Sequence, residues 1–404
     1  MATWDGRLPI LVVGGGMITE EVVLPTVFQE RRLGKVGDIM VATRRPRRIT
    51  KLREVFPDED FVGLPEPSEY DAESSHPECY QEGLAWLGDH GLVIVATPDH
   101  LHTPVILAAL EHGFHCVVQK PLCLKVREAH EIADLAGKLG RYVCTDYHKR
   151  HDRAVRAAKY RYALGELGEM LHGHAWIEEK REMALDVFAR WCEQSSPFEY
   201  IGVHYADAYY YITGLKPRRL VAFGQKKLLP RHGKDAFDAV QATIEWEDGS
   251  ALWIQTSWVC SEHNSALTNQ GLQLSGTEGE YWADHKARAL HFVTQARGYE
   301  DFNPNFFKPY VDWDDPSKIQ YVGYGYDSIV QGLDDVRRIE QATLGLPEAE
   351  ALARRQEMIA ALEPVRPLPG QALIGTAINE AVRLSIEQGS RFVTFGEGMY
   401  PVAE

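Results

Sequence analysis

Apolar residues in the first 150 positions form short runs that are separated by polar and glycine-containing turns. Five runs of four to six residues lack the alternation of half-buried strands, so they predict strands that are covered on both faces. After the third run, Thr103 and Pro104 have the residue types of a helix N-cap and a first helical position, and Gly113 is a typical helix end. Strand, helix and strand within about 30 residues form a βαβ unit, which predicts a parallel sheet. The predicted strands are residues 8–13, 38–43, 92–96, 115–118 and 142–145.

The rest of the chain has a different pattern. Residues 240–246 and 251–258 flank Asp248-Gly249, which is a strong signal for a β-hairpin turn. Several strand-like runs follow one another without intervening helices, which is typical of an antiparallel sheet, and helical segments surround them. The sequence therefore predicts an α/β first domain over residues 1–150 and an α+β second domain over residues 151–404. Its other predicted strands are residues 171–177, 272–275, 281–283 and 290–294, and its predicted helices are residues 200–212, 326–344, 347–362 and 373–388.

The charge balance excludes several classes of partner. Lys and Arg total 43 against 58 Asp and Glu, a formal net charge of −15, and no long basic run offsets it, so a nucleic-acid partner is not expected. No apolar run reaches the roughly 18 residues of a membrane span, and no basic segment followed by an apolar stretch marks a secretory signal. The six cysteines are scattered without a C-x-x-C pair, so we expect free thiols. Together these features predict a cytoplasmic protein without a membrane partner.

A glycine-rich turn follows the first predicted strand. Gly14 and Gly16 match the pattern G-x-G-x-x-G, and Thr19 stands where the third glycine is expected. Two such glycines permit a tight turn and the close approach of a pyrophosphate to the backbone at a helix N-terminus. The alternative is a glycine turn that binds no ligand. The position between an apolar strand and a helix favours a dinucleotide site, and with it a Rossmann fold for residues 1–150.

The end of the second predicted strand bears on which dinucleotide is bound. Thr43 closes this strand, and Arg44 and Arg45 follow it. Dinucleotide-binding folds usually carry an acidic residue here for the adenosine ribose, or an arginine where a 2′-phosphate is accommodated. Because no Asp or Glu is present, the sequence favours NADP, with NAD as the alternative cofactor. The competing interpretation is a solvated basic loop without a ligand.

The carboxyl edge of the predicted sheet carries Thr97-Pro98 from one strand and Lys120-Pro121 from the next. Ligands of open α/β sheets bind at this edge. A partly desolvated lysine beside an oxidised nicotinamide is expected to have a lowered pKa, which suits general acid/base chemistry near neutrality. The alternative is a surface lysine after an edge strand.

Five segments spread over nearly the whole chain form a recognisable combination. They are the glycine-rich first turn, VATPDHLH, QKPL, GVHYADAYYYITG and AINEAVRLSIEQGSRFVTF. This combination resembles the Gfo/Idh/MocA family, which includes glucose–fructose oxidoreductase and inositol dehydrogenase. The resemblance implies a Rossmann N-terminal domain and a C-terminal α+β domain with a large, mostly antiparallel open sheet. Because this sheet often forms oligomer contacts in the family, the resemblance also implies a homo-oligomer (a dimer or a tetramer). It also implies reversible NAD(P)-linked oxidation of sugars, glycosides, cyclitols or related polyols.

The resemblance also implies roles for individual residues. Lys120 looks like the family's motif lysine beside the reacting hydroxyl, and His204 looks like the acid/base histidine on the first helix of the second domain. The candidate substrate contacts are Asp207, Tyr200, Tyr147 and Lys149. The expected cofactor contacts are Gly14, Gly16, Met17, Ile18, Thr43, Arg44, Arg45, Thr97, Pro98, His102, Gln119 and Lys120.

Two positions depart from the family pattern. Gln119 replaces the usual glutamate before the lysine, so a carboxylate contact to the nicotinamide ribose becomes an amide contact. Tyr200, next to Glu199, stands where the family often has an aspartate, so its hydroxyl either assists His204 or faces the substrate. His204 and Asp207 share one face of a helix and could hold a metal ion, but no third ligand is evident, so no metal is predicted.

We hypothesise that Lys120 and His204, from different domains, meet over one face of the nicotinamide and share proton transfer while the cofactor takes the hydride. The alternative for His204 is a core or capping histidine. Two other functions stay open: a glycosidase that uses bound NAD transiently without net redox change, and a non-catalytic regulator that binds a dinucleotide. Accumulation of reduced cofactor distinguishes the dehydrogenase from the glycosidase.

Overall fold

The computed structural model describes residues 4–404, which form two compact units. The first unit comprises the chain up to Cys123, Glu128–His148 and Phe307–Gln371, and the second comprises Leu124–Arg127, Lys149–Phe306 and Ala372–Glu404. Phe307–Gln371 thus packs with the first unit, whereas the sequence pattern placed it within residues 151–404. Gln29 helps to hold this segment, because its side-chain amide donates to the backbone oxygen of Tyr321 at 3.0 Å and accepts from its nitrogen at 2.7 Å.

A parallel sheet of six strands forms the centre of the first unit. Its strands are β1 (Leu8–Val13), β2 (Val36–Ala42), β3 (Val62–Leu64), β4 (Leu92–Val95), β5 (His115–Gln119) and β6 (Val143–Asp146). They lie in the order β3-β2-β1-β4-β5-β6, and every residue of β4, β5 and β6 is buried. This burial on both faces explains the apolar runs without alternation and confirms the α/β prediction for this unit.

Ten α-helices occur in residues 4–404. They are α1 (Leu24–Arg32), α2 (Pro46–Val55), α3 (Tyr80–Trp86), α4 (His102–Glu111), α5 (Val126–Leu139), α6 (Arg153–Ala163), α7 (Val203–Thr213), α8 (Tyr324–Thr343), α9 (Glu348–Leu362) and α10 (Pro369–Glu387). Within the part of the chain that the structure describes, none of these helices combines the length and the apolar character needed to cross a bilayer.

The start of α4 differs from the prediction. A 3₁₀ turn over Asp99–Leu101 leads directly into the helix, so Leu101 is the N-cap residue and the helix begins at His102. The Thr103 hydroxyl donates to the Glu128 carboxylate at 3.2 Å instead of capping the helix. The prediction of Thr103 as N-cap is therefore wrong, because the turn that starts the helix begins before the Thr-Pro pair.

A mixed sheet of eight strands dominates the second unit. Its strands are β7 (Met170–Lys180), β8 (Pro217–Gln225), β9 (Ala239–Trp246), β10 (Ala251–Cys260), β11 (Thr268–Gly276), β12 (Glu280–Asp284), β17 (Val393–Phe395) and β18 (Pro401–Ala403), in the order β12-β11-β7-β10-β9-β8-β17-β18. The β9–β10 hairpin is confirmed, with Gly249 at a φ of +87° in its turn. Among the described strands of this sheet, only β7 and β10 pair in parallel, so the sheet is mostly antiparallel, as predicted.

Two further hairpins lie outside the large sheet. In the second unit β13 (His291–Thr294) pairs with β14 (Gly298–Asp301), and in the first unit β15 (Lys308–Val311) pairs with β16 (Ile319–Val322). The expectation that residues 290–294 join the large sheet is wrong. This strand pairs with β14 instead, and all four of its residues are exposed, so it does not contribute to the core.

One face of the large sheet carries an aromatic patch made of His174, Trp176, Trp253 and Trp282. Trp176 lies over Gly271, where an added Cβ would come within 2.2 Å of the indole ring. His174 stacks on Trp253 with a ring separation of 4.5 Å, and Trp282 is 68% exposed. Single exposed aromatic residues are common, whereas these four residues form one contiguous group on the sheet.

Candidate active site

The glycine turn after β1 is shaped by backbone packing. Gly14 has a φ of +112°, and an added Cβ would lie 2.2 Å from the carbonyl oxygen of Ala96, so only glycine fits. The Thr19 hydroxyl donates to the Gly14 carbonyl at 2.8 Å and closes the turn. A Cβ on the exposed Gly16 would meet nothing within 4 Å. The open backbone at Gly16, just before a helical segment that starts at Met17 and Ile18, fits a pyrophosphate.

The segment after β2 touches this turn. Arg48 Nε donates to the Gly15 carbonyl at 2.6 Å, and the Thr43 hydroxyl donates to the Arg45 carbonyl at 3.0 Å. Arg44 Nε donates to the Ser75 hydroxyl at 2.8 Å. Of the predicted adenosine-side residues, Thr43 lies beside the turn, because a Cβ on Gly15 would come within 2.6 Å of its Cγ2. A contact of Arg44 or Arg45 with a cofactor stays a prediction.

An acidic residue that sequence reasoning missed also belongs to this region. Glu73 bridges two arginines, with distances of 2.8 Å to Arg45 and 2.5 Å to Arg47. Its carboxylate reduces the positive charge that the arginines offer to an anion. Glu73 lies about 30 residues further along the chain, in a segment without a regular pattern, so no local signal pointed to it.

His102 links the loops after β4 and β5. Its Nδ1 lies 2.8 Å from the carbonyl oxygen of Pro121, and its Nε2 lies 2.9 Å from that of Thr97. Both ring nitrogens therefore contact backbone oxygens, and a direct contact of His102 with a cofactor stays a prediction. The Thr97 hydroxyl is enclosed and has no hydrogen-bond partner within residues 4–404, so it is a polar group suited to a ligand at this edge, next to Pro98.

Lys120 follows β5 and is only 9% exposed. Its neighbour Gln119 lies directly opposite Asp146, the last residue of β6, and donates from Nε2 to Asp146 Oδ2 at 2.8 Å. Burial raises the pKa of Asp146 to about 6, while hydrogen bonding to Ser328 and Gln119 and the charge of Lys120 oppose the increase. The sequence does not reveal this pair, because it depends on the register of β5 and β6.

In the second unit, His204 is buried on α7, and Tyr200 lies in the π-helical turn Phe198–Gly202 that precedes it. The predicted helix over residues 200–212 therefore begins as this turn. The Tyr200 ring packs against Phe188, with centroids 4.7 Å apart. Glu199 is engaged by Arg383, which donates to both of its carboxylate oxygens at 2.8 and 2.5 Å.

The other predicted substrate contacts are buried. Asp207 accepts two hydrogen bonds from Arg150, and burial raises the pKa of this carboxyl although the guanidinium opposes the shift. Lys149 Nζ donates to Gln270 Oε1 at 2.5 Å, and burial lowers the pKa of Lys149 to about 7. Tyr147 is buried in the first unit. Whether these residues contact a substrate stays a prediction.

Two family models match the chain. The model described as "Oxidoreductase family, NAD-binding Rossmann fold" matches residues 8–147, and the model described as "GFO/IDH/MocA C-terminal domain" matches residues 155–282. Together they cover about two thirds of the chain. The matches fall on the parallel sheet and on most of the large mixed sheet.

Individual proteins are similar over shorter stretches. A D-glucoside 3-dehydrogenase of Escherichia coli K12 is 25% identical over 197 residues, which are 44% of this chain and 55% of the relative. A glycosyl hydrolase family 109 protein of Shewanella pealeana is 31% identical over 120 residues, which are 30% of this chain and 25% of the relative. The chain thus spans about half or less of the length of these curated relatives.

A solved structure extends the similarity to the whole fold. The inositol dehydrogenase homologue from Azotobacter vinelandii, complexed with NADH and myo-inositol, superposes with a TM-score of 0.66 and 20% sequence identity. The superposition covers 96% of this chain and 98% of that chain. At this identity the similarity establishes the fold.

Proposed function

This chain belongs to the Gfo/Idh/MocA family of oxidoreductases, and we propose that it is an NAD(P)-dependent dehydrogenase acting on a hydroxyl group of a sugar, a glycoside or a cyclitol. One observation carries the proposal. The open glycine turn at Gly16 and the buried Lys120 lie at the same carboxyl edge of one parallel sheet. That edge supplies backbone donors for a pyrophosphate and a cationic side chain for a reacting hydroxyl.

We propose NADP as the preferred cofactor, with NAD as the alternative. Thr43, Arg44 and Arg45 follow β2 without an acidic residue that would hold an adenosine ribose. Arg45 is partly neutralised by Glu73, and this pair must open for a 2′-phosphate to use the arginine. The ratio of kcat/KM values for NADP and NAD tests the preference.

The proposed chemistry divides between the cofactor and two side chains. Oxidation of a secondary alcohol removes a hydride from carbon and a proton from oxygen, and the nicotinamide supplies the hydride acceptor when it is bound. We assign to the Lys120 ammonium a hydrogen bond to the substrate oxygen, which stabilises the negative charge that develops there. His204 accepts the hydroxyl proton, so both residues serve one proton transfer.

A substrate panel tests this function. Sugars, glycosides and cyclitols are offered with NAD and with NADP, and the absorbance of the reduced nicotinamide is followed. The proposal predicts an increase that depends on one of these substrates. Lys120→Met and His204→Gln should each lower kcat/KM by roughly 10²–10⁴-fold, whereas Lys138→Met, at an exposed position of α5, should leave it unchanged. The absence of any substrate-dependent increase contradicts the proposal.

A second function has one observation in its favour. A stretch of 120 residues is 31% identical to a glycosyl hydrolase family 109 protein. A glycosidase that uses its dinucleotide only transiently releases the leaving group of a chromogenic glycoside without accumulating reduced cofactor. The panel separates the two functions, because only the dehydrogenase couples substrate consumption to a lasting increase in absorbance.

We also propose that the protein works as a homo-oligomer, a dimer or a tetramer, in the cytoplasm. The aromatic patch on the large sheet supports self-association. All six cysteines are free, as is usual in a reducing compartment. Light scattering measures the mass in solution, and Trp282→Ser should shift it towards the monomer. A wild-type protein that is monomeric at micromolar concentration contradicts the assembly.

A further inference from the structure

Asp146 and Gln119 form a side-chain pair across neighbouring strands. They are direct partners in the β5–β6 ladder, and the Gln119 amide donates to Asp146 Oδ2 at 2.8 Å. Asp146 is 5% exposed, and within residues 4–404 its second oxygen, Oδ1, is enclosed without a hydrogen-bond partner. A buried carboxyl with one of its two oxygens unused is costly for folding, and such groups concentrate at functional sites.

The surroundings of Asp146 contain a specific charge partner. Lys120, the residue after Gln119, brings its ammonium close enough to favour the ionised carboxylate. Ser328 on α8 also lies near the carboxyl and opposes the rise of its pKa, although the Ser328 hydroxyl donates to the Gly325 carbonyl at 3.1 Å. Burial is still the largest effect and raises the pKa of the carboxyl to about 6. At neutral pH the carboxyl is therefore mostly ionised.

We propose that Asp146 is a positioning residue whose carboxylate, held by Gln119, keeps the Lys120 ammonium charged and directed at the substrate oxygen. This inference rests on the role given above to Lys120. The Gln119 amide fixes the carboxylate through one oxygen and leaves the other to act on the cation. Because β5 and β6 are completely buried, both partners are attached to a rigid backbone.

The proposal implies a particular pH dependence. Above about pH 6 the negative charge of the Asp146 carboxylate stabilises the Lys120 ammonium. Below about pH 6 the carboxyl is protonated and neutral, so Lys120 loses part of its stabilisation as a cation. Asp146→Asn keeps an oxygen that accepts from Gln119 and removes only the charge. The ratio of wild-type to variant kcat/KM should therefore be close to one at pH 5 and rise to at least tenfold above pH 7. Titration of other groups, which both proteins share, cancels in this ratio.

Thermal unfolding of the cofactor-free protein gives a second readout. A folded-state pKa near 6, against about 3.9 in the unfolded chain, means that ionisation of Asp146 destabilises the native state as the pH rises through this interval. The difference in Tm between Asp146→Asn and wild type should therefore increase in favour of the variant between about pH 4 and pH 6. Above pH 6 the variant should keep the higher Tm. A carboxyl that only supports the fold would give the reverse, with a lower Tm in the variant.

A matched control and a reversal complete the test. Asp335→Asn removes another buried carboxylate of this unit, which is paired with Arg366 at 2.5 Å. It should lower Tm and leave a pH-independent activity ratio. The double variant Gln119→Glu/Asp146→Asn exchanges the carboxylate and the amide between the two positions. It should restore kcat/KM at pH 8 to within threefold of wild type.

The outcomes separate this inference from the proposed function. The role of Asp146 is contradicted if the wild type is active and the ratio of wild-type to Asp146→Asn kcat/KM is one at every pH. It is also contradicted if Asp146→Asn loses as much Tm as Asp335→Asn. Neither result contradicts the dehydrogenase function. A wild type without hydride transfer on the whole panel overturns both. A pH-dependent ratio together with a retained or raised Tm supports the role.

Discussion

Arg150 and Asp207 form a buried ion pair with two hydrogen bonds, from Nε to Oδ2 at 2.9 Å and from Nη2 to Oδ1 at 2.6 Å. Asp207 lies on α7, the helix that also carries His204. Both carboxylate oxygens are therefore engaged within the second unit. The geometry favours a role in fixing α7 over the substrate contact that the family resemblance implies.

Loss of this ion pair should destabilise the second unit. Asp207→Asn leaves a buried guanidinium without its counter-charge, which should lower the free energy of unfolding by about 3–5 kcal/mol. The double variant Arg150→Met/Asp207→Leu removes both charges and should lose less. Urea unfolding measures both changes. An Asp207→Asn protein with unchanged stability and a raised KM would instead favour the substrate contact.

Two glycines of the first turn should respond differently to the same substitution. Gly14→Ala places a Cβ 2.2 Å from a backbone oxygen at a φ of +112°, so the variant should fold poorly and show a much lower Tm. Gly16→Ala adds a Cβ into open space and should fold normally. Because a pyrophosphate needs that space, Gly16→Ala should lose at least tenfold in dinucleotide affinity. Unchanged affinity in Gly16→Ala would exclude the turn as the pyrophosphate site.

Release of the arginines from Glu73 should shift cofactor preference. Glu73 is exposed and pairs with Arg45 and Arg47, so each interaction is worth at most about 1 kcal/mol. Glu73→Gln should therefore raise the kcat/KM ratio of NADP to NAD by roughly two- to fivefold. Glu66→Gln, which breaks a similar pair with Arg53, is the control and should leave the ratio unchanged. A shift towards NAD in Glu73→Gln would place the 2′-phosphate away from these arginines.

The sequence was sufficient where a property depends on local pattern. The buried strands are recognisable as apolar runs because both faces of the sheet are covered. The hairpin turn at Asp248-Gly249 can be predicted from its own two residues. β3 was missed because its three residues are too few to show a pattern.

Long-range pairing set the limit of prediction. Phe307–Gln371 belongs to the first unit, and one of its contacts there is the hydrogen bond between Gln29 and Tyr321. These two residues are 292 positions apart in the sequence. The same limit applies to the candidate site, because the partner of Asp146 depends on strand register. Likewise, the use of both His102 nitrogens depends on where two loops end. The sequence pattern placed Thr97-Pro98 and Lys120-Pro121 at the ligand edge but did not show which residues they and their neighbours contact.

The buried Lys149 should make stability depend on pH. Its pKa is about 7 in the folded protein against about 10.4 in the unfolded chain, so the buried charge destabilises the native state below pH 7. As the pH rises from 7 to 10, the native state loses the proton first and this destabilisation disappears. The stability of Lys149→Met relative to wild type should be greatest near pH 6 and fall by an amount on the order of 4 kcal/mol towards pH 10.

Urea unfolding at a series of pH values tests this expectation. The control is Lys138→Met, which changes an exposed lysine and should give a difference independent of pH. A constant difference for Lys149→Met would mean that Lys149 keeps an ordinary pKa in the folded protein.

The central claim is that Lys120 serves hydride transfer at the carboxyl edge of the parallel sheet. Single-turnover absorbance of the reduced nicotinamide, recorded for wild type and Lys120→Met with the best substrate of the panel, tests it most directly. The account predicts a rapid rise for wild type and a rise at least 100-fold slower for Lys120→Met, while both proteins bind the cofactor with similar Kd. Equal rates in the two proteins would contradict it.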